Sequence, residues 1–500
     1  MDAVLLAIQA VATPMVLVVM LLAGIFGMFV GAVPGLTATM ATALLVPITF
    51  FLPPVPAVAA IVTATAMAIF AGDIPGALLR IPGTPASAAY TDESYAMTRK
   101  GQGETALGIG LVFSCIGGLF GTAVLIVAAP TLAEVALRFS SFEYFWLVAM
   151  GLTCAVFITS DKPLKGLITL LLGLLVGCVG LENPAGHPRF TFGNTELLGG
   201  LSLIPAMIGM FAISEILRFT LTTEQIGSFG KQIGSVFVGM GRMIRRYPKQ
   251  TLRGSALGTA VGILPGAGAD IAAWMSYAMS KKLSKEPEKF GTGHPEGLVE
   301  AGAANNSALA GAWVPALVFG IPGDSITAIV IGVLYMKNMN PGPMIFMNNP
   351  ENVYAVFIVF ILANLLMLPL GWACIKASAR ILRMPRNMLM PIILVFCLVG
   401  AFAINNSAFD LVILLGFGVA AWLMEENGFP VAPAILGMLL GKMLEEHFIT
   451  SMIKSDGSWL AFVERPIAGG LALFTFALWI GSGWLAWRRR ASAHPPPLTP

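Results

Sequence analysis

Apolar residues fall in long uninterrupted stretches along this chain, without the two-residue or 3.6-residue alternation of half-buried elements. Stretches long enough to cross about 30 Å of hydrocarbon occupy residues 56–79, 105–129, 142–160, 166–181, 198–218, 300–320, 353–375, 388–404, 408–424, 430–448 and 466–487. Each predicts a transmembrane helix. Two further stretches carry a Pro-Gly break near their middle: 15–51, broken at Pro34-Gly35, and 254–280, broken at Pro265-Gly266. Each of these predicts a hairpin that enters and leaves the membrane on one side.

The sparse charges set the threading. Arg242, Arg245, Arg246, Lys249 and Arg253 precede the second hairpin, and Lys281, Lys282, Lys285 and Lys289 follow it, so both of its ends are expected on the cytoplasmic side. The first hairpin has no Lys or Arg at either flank, from Met1 to Pro14 or across Phe51-Leu52-Pro53-Pro54, and its ends are expected outside. Threading the crossings on that basis puts 23 Lys and Arg inside and 6 outside, the full 29 of the chain. These basic clusters read as topological determinants that also meet anionic lipid. Glu425, Glu426, Glu445 and Glu446 read as solvated groups at membrane boundaries.

The two breaks align. Gly27, Gly31, Pro34 and Gly35 correspond to Gly258, Gly262, Pro265 and Gly266 at an offset of 231. Further on, Ile81-Pro82-Gly83 corresponds to Ile321-Pro322-Gly323, and Tyr95 to Tyr335, at an offset of 240. This is an internal duplication. Five crossings separate the hairpins, and an odd number turns the second copy upside down. The expected fold is therefore an all-α, polytopic integral membrane protein with two inverted repeats, each holding a Pro-Gly-broken helical hairpin. The expected organisation is 1–230 for the first repeat, 231–465 for the second, and 466–500 for a last transmembrane helix with a cytoplasmic tail.

Composition agrees and narrows the function classes. Five hundred residues with 57% hydrophobic and 11% charged side chains, and a mean hydropathy of +0.83, cannot cover soluble domains with polar surface. Soluble enzymes, nucleic-acid binders and disordered scaffolds are set aside. The 55 Gly and 33 Pro imply interrupted helices, which in hydrocarbon persist only where they are buried in protein or line a cavity. The five cysteines lie in apolar runs and read as small hydrophobes. The first fourteen residues lack Lys and Arg, so the opening run is expected to stay in the mature protein. Gly230-Lys231 and Gly441-Lys442 lack the rest of a phosphate-binding loop. The four histidines have no metal-ligand spacing, and no Ser has the surround of a nucleophile elbow. Neither an enzyme nor a metal or cofactor site is expected.

Candidate chemistry lies at the breaks. In Gly31-Ala32-Val33-Pro34-Gly35-Leu36-Thr37-Ala38-Thr39 and Gly262-Ile263-Leu264-Pro265-Gly266-Ala267-Gly268-Ala269-Asp270, Pro removes a donor and Gly admits left-handed turns, so one helix ends and another begins. The free N–H groups of the new helix attract anions, and Thr37, Thr39 and Thr42 add hydroxyls. Close helix packing by small residues is the competing explanation, but a pair of breaks in register favours a binding site. Gly72-Asp73-Ile74-Pro75-Gly76, Ile81-Pro82-Gly83-Thr84-Pro85-Ala86-Ser87 and Gly320-Ile321-Pro322-Gly323-Asp324-Ser325 are further breaks expected to complete a cavity or hold a cation. Asp73 is the lone charge between 56 and 79. It is either a working intramembrane carboxylate or a bland one, an Asx cap on the chain break or a group placed nearer the membrane interface. Asp270 reads as a cap for a half-helix starting at Ile271, with a coupling cation as the alternative. Asn305-Asn306-Ser307 offers either interhelical hydrogen bonds or site amides. Asp73, Asp270 and Asp324 are the coupling-ion candidates. Substrate contacts are expected from Gly35, Leu36, Thr37, Thr39, Gly83, Thr84, Ser87, Gly266, Ala267, Gly268, Asn305, Asn306, Gly323 and Ser325.

These motifs, together with Val33-Pro34-Gly35-Leu36, Tyr95-Ala96-Met97-Thr98-Arg99-Lys100-Gly101-Gln102, Pro287-Glu288-Lys289-Phe290-Gly291 and Pro341-Gly342-Pro343, carry a resemblance over nearly the whole length. The chain resembles the large membrane subunit of the tripartite tricarboxylate transporters. That resemblance implies a secondary symporter in a bacterial inner membrane, with a small four-helix-type membrane subunit and a periplasmic solute-binding protein that delivers a di- or tricarboxylate. It also implies coupling to a sodium or proton gradient, with no other cofactor. Two departures fall at the candidate site. Thr37-Ala38 stands where the family often has Gly-Pro, and Gly72-Asp73-Ile74-Pro75-Gly76 replaces a Gly-Ser-Ile-Thr-like stretch. A passive anion channel, or a carrier without a binding-protein partner, is the alternative, because broken helices also line pores.

Overall fold

In the computed structural model, residues 2–34, 36–157, 163–181, 186–221, 235–382 and 386–492 are described. Gly35 lies outside them. Among the described residues the chain is all helical, its one extended pairing being an isolated bridge between Gly180 and Arg189. The helices Pro14–Ala32, Pro54–Leu79, Gly103–Ala136, Pro350–Ser378 and Ala408–Glu426 are each long and apolar enough to cross a membrane. The chain divides into two compact units, Met1–Leu137 with Leu201–Val431, and Arg138–Gly200 with Ala432–Pro500.

The larger unit is built around the helix Pro295–Phe319, which is buried along nearly its whole length. Its stripe of Ala, Gly, Asn and Ser lets neighbouring backbones approach closely. A methyl group on Gly117 of the helix Gly103–Ala136 would lie 2.0 Å from the Ala303 carbonyl oxygen. One on Gly258 of the helix Pro248–Ile263 would lie 2.3 Å from the Ala304 oxygen. On the helix Pro14–Ala32, Gly27 and Gly31 approach Ala64 and Ala68 of the helix Pro54–Ala71 in the same way.

Local geometry recurs at the two sequence offsets. A methyl on Gly31 would stand 2.3 Å from the Ala68 oxygen, and one on Gly262 would stand 2.3 Å from the Ala308 oxygen. Leu36 N–H donates to Val33 at 3.1 Å, and Ala267 N–H donates to Leu264 at 3.2 Å. Arg80 and Gly320 are both left-handed, with φ of 61° and 67°. Ile81 N–H reaches the Pro75 carbonyl at 3.4 Å, as Ile321 N–H reaches Pro315 at 3.3 Å. Thr84 with Ser87, and Asp324 with Thr327, form two capping boxes.

Several expected breaks occur as chain interruptions. The helix Pro14–Ala32 gives way to Ala38–Phe50, Pro248–Ile263 to Gly268–Leu283, and Pro295–Phe319 to Ser325–Met336. The break expected at Gly72-Asp73-Ile74-Pro75-Gly76 does not occur there. Gly72 stays in the right-handed helical region, the helix Asp73–Leu79 continues from Pro54–Ala71, and the chain turns only at Arg80. The buried 12-residue helix Ser325–Met336 was not expected, and the stretch 198–218 contains a π-helical turn, Gly209–Ile213, with Gly209 packed against the Leu414 carbonyl.

The smaller unit packs Ser141–Phe157, Pro163–Gly177, Ala432–Lys454 and Pro466–Ser492. Phe142, Trp146 and Phe462 form its aromatic core, and the Trp146 indole N–H donates to the Phe462 carbonyl at 2.8 Å. Arg189 forks onto Glu445 at 2.8 and 2.7 Å. Glu445 is therefore ion-paired and not a freely solvated boundary group. In the larger unit Glu425 stands 3.8 Å from Arg218.

Candidate functional site

The loops between the broken helices meet in the larger unit. Gly83 sits against Gly72 and the Gly31 carbonyl, and Gly323 sits against Ala312 and the Gly262 carbonyl. Gly268 abuts Asp324, whose Cβ would be 2.6 Å from a methyl on that glycine. The Asp270 carboxylate reaches over to accept the Ala86 N–H at 3.0 Å, and the Trp274 indole N–H donates to the Pro85 carbonyl at 3.1 Å. The segments around 31, 83–87, 262–274 and 323–324 thus form one neighbourhood.

Most of the expected hydroxyls are engaged in helix capping. Thr37 is the N-cap of Ala38–Phe50 and accepts the Met40 N–H at 3.2 Å. Thr84 and Ser87 satisfy each other's backbone N–H groups. Thr42 is bonded to the Ala38 carbonyl and to Thr65 Oγ1, both at 2.9 Å. Leu36 is fully buried, Thr39 and Ser325 are half-buried, and Asp324 caps Ser325–Met336 by accepting the Thr327 N–H at 2.8 Å.

Gly268–Leu283 begins differently. Its N-cap is Ala267, with no side-chain cap, and Gly266 and Gly268 both have positive φ, 81° and 61°, a backbone path open to glycine at little steric expense. Asp270 lies in the first turn of this helix and bonds Ala86 in another segment, so the expected cap on a helix starting at Ile271 is not what the carboxylate does. The partial positive charge of a helix start is here shared by two carboxylates, Asp270 and Asp324. A lone anionic ligand meets repulsion there; an anion accompanied by a cation or proton does not.

Deeper in the unit is a polar row. Asp73 accepts the Tyr90 hydroxyl on Oδ1 at 2.6 Å, and Tyr90 Oη accepts Asn305 Nδ2 at 3.1 Å. Asp73 does not cap its helix, so the Asx reading does not hold. Asn306 makes only a long contact to Met367 Sδ, at 3.6 Å. Sequence reasoning missed Tyr90, whose partners lie 17 and 215 positions away. It also missed Glu93, fully buried, whose carboxylate accepts the N–H groups of Gly291, Gly293 and His294 and the Tyr277 hydroxyl. The signal within reach was the glycine-rich run 291–293, a backbone able to turn several N–H groups toward one anion.

A family model described as "Tripartite tricarboxylate transporter TctA family" matches residues 17–436. An Agrobacterium vitis protein, "Uncharacterized 52.8 kDa protein in TAR-I ttuC' 3'region", is 34% identical over 467 residues, covering 93% of each chain. A second protein of that organism, "Uncharacterized protein in TAR-II ttuC' 3'region", is 35% identical over 214 residues, 43% of this chain and 88% of its own. No solved structure matches significantly.

Proposed function

The chain belongs to the tripartite tricarboxylate transporter TctA family, and from that premise we propose that it is the large membrane subunit of a symporter importing a di- or tricarboxylate across a bacterial inner membrane. A small four-helix membrane subunit and a periplasmic binding protein complete the system, and a sodium or proton gradient drives it. The family is one of transporters, and the chain is a multi-pass membrane protein by its apolar helices.

The observation that carries this reading is the meeting of the chain breaks around an uncapped helix start flanked by Asp270 and Asp324. A carboxylate substrate meets two like charges there, so its binding is favoured by an accompanying positive charge, the kind of linkage a symporter uses. Leu36, Thr37 and Thr39 from one repeat, and Gly266, Ala267 and Gly268 from the other, are the proposed substrate contacts, with Gly35 proposed from the sequence alone. Gly83, Thr84, Ser87, Gly323 and Ser325 shape the walls, with Asn305 and Asn306 behind them. Support for the duplication comes from the bonds that recur at offsets of 231 and 240. On this reading the repeats span 1–230 and 231–465, with 466–500 following, and the odd number of crossings between the hairpins inverts the second copy.

The test is uptake of a carboxylate panel by proteoliposomes holding the chain and its membrane partner, with the binding protein added outside. Accumulation above the external concentration that collapses with the ion gradient supports the proposal. Equilibration without accumulation identifies a passive channel.

A further inference from the structure

Asp73, Tyr90 and Asn305 expose 5%, 1% and 0% of their surface, and the row they form is only half satisfied. Among the described residues, Asp73 Oδ2 and Asn305 Oδ1 are buried with no hydrogen-bond partner. Oδ2 faces Gly110 of the helix Gly103–Ala136, where a methyl would stand 3.0 Å from it. A buried polar group without a partner is costly and persists where it has work to do.

The surrounding charges do not balance it. On the helix Thr91–Arg99, Asp92 is tied to Arg80 in an exposed pair, and Glu93 is enclosed by backbone N–H groups. Glu104 lies in the first turn of Gly103–Ala136. On Pro248–Ile263, Arg253 is paired with Glu300 of the central helix. On Gly268–Leu283, Asp270 accepts the Ala86 N–H and adds a carboxylate, not a cation. Among the described residues no cationic side chain pairs with Asp73.

An ionised Asp73 is therefore a buried charge with one hydrogen bond and no counterion. Sodium does not fit at Oδ2, because a hard cation leaves water only for several oxygen ligands, whereas Oδ2 faces Gly110 on a helix whose carbonyls serve its own ladder. A proton removes the charge with a single O–H bond and needs no coordination shell.

We propose that Asp73 is the binding site of the coupling proton, with Tyr90 and Asn305 as positioning residues. This rests on the symport reading above and deepens it. The Tyr90 hydroxyl keeps its own proton and occupies Oδ1, directing the incoming proton to Oδ2. The step forms one O–H bond from solvent H⁺ and breaks it on release to the other side, with no redox change.

The test uses proteoliposomes of the full chain with its membrane partner and binding protein, given either an acid-outside pH gradient in sodium-free medium or a sodium gradient at equal pH. One pH unit carries about 1.4 kcal/mol per proton, a factor of about ten in accumulation. The wild type is expected to accumulate carboxylate by that factor per coupled proton under the pH gradient. Asp73→Asn, neutral like the protonated acid, is expected to lose accumulation and carboxylate-induced proton entry while still exchanging carboxylate between equal pools. Accumulation by Asp73→Asn equal to wild type, or wild-type accumulation that follows sodium alone, overturns the assignment and leaves symport standing. A wild type that neither accumulates nor exchanges any carboxylate overturns both. Should Asp73→Asn fail to exchange, infrared difference spectra decide. Tyr90→Phe is expected to raise the frequency of a protonated carboxyl C=O band by removing its hydrogen bond, and an unmoved band counts against Asp73.

Discussion

Replacing Glu93 by Gln is the sharpest test of how the loop before the central helix is held. The carboxylate is fully buried, and its two oxygens divide four donors between them. Oε1 takes the Tyr277 hydroxyl at 2.8 Å and the Gly291 N–H, and Oε2 takes Gly293 N–H at 2.7 Å and His294 N–H at 2.8 Å. Gln keeps the shape but carries one acceptor oxygen. With its NH₂ turned toward Tyr277 and Gly291, the Tyr277 hydroxyl can rotate to accept the amide N–H, so the orientation of least cost loses one bond to a charged acceptor, that of the Gly291 N–H, at about 1.5–3 kcal/mol.

The control is Asp92→Asn, one residue earlier. Its pair with Arg80 is 65% and 62% exposed at the two side chains and is worth at most about 1 kcal/mol. Hydrogen exchange by mass spectrometry over 286–300, with thermal unfolding in detergent, reads both variants. Glu93→Gln should unfold below wild type and lose about ten- to a hundredfold of amide protection over 291–294, the equivalent of about 1.5–3 kcal/mol. Behaviour indistinguishable from Asp92→Asn would refute the claim that this carboxylate secures the loop.

Three further expectations follow from the packing. Gly31→Ala and Gly262→Ala each drive a methyl to 2.3 Å from a carbonyl oxygen and should each lower stability by about 1–3 kcal/mol, whereas Gly241→Ala, with open space around it, should be neutral or stabilising; unequal effects at Gly31 and Gly262 in thermal melts would weaken the repeat equivalence. Arg253→Met should destabilise by about 3–5 kcal/mol by leaving Glu300 charged and buried, its side chain being 0% exposed, and adding Glu300→Leu should recover most of the loss in a double-mutant cycle. Cysteines at the exposed positions Lys249 and Lys281 should both react with an impermeant reagent from the cytoplasmic side, and opposite labelling would break the inverted-repeat argument.

Much of the fold was legible because apolar length and proline chemistry act locally. Pro265 cannot donate, and Gly266 and Gly268 accept positive φ, so the end of one helix and the start of the next could be read from a few residues. The same logic overreached at Gly72–Gly76, where Gly72 keeps right-handed helical angles and the chain turns only at Arg80. The helix Ser325–Met336 escaped because its 12 residues are too few to span hydrocarbon yet are fully compatible with burial in protein. The polar contacts were invisible for another reason. Tyr90 to Asn305 and Glu93 to His294 join residues 215 and 201 positions apart, and nothing in a local pattern pairs them. Asp73 stood out as a lone intramembrane charge, but its bond to Tyr90 and, among the described residues, the lack of a partner on Oδ2 come from the fold and not from a local pattern.

The central claim is that this chain couples carboxylate entry to an ion gradient. Its most direct test is carboxylate accumulation in proteoliposomes containing the chain, its small membrane subunit and the binding protein. Internal carboxylate should rise above external when an inward ion gradient is imposed and fall back when an ionophore dissipates it. Carboxylate that only equilibrates, unaffected by the gradient or its collapse, would contradict the account.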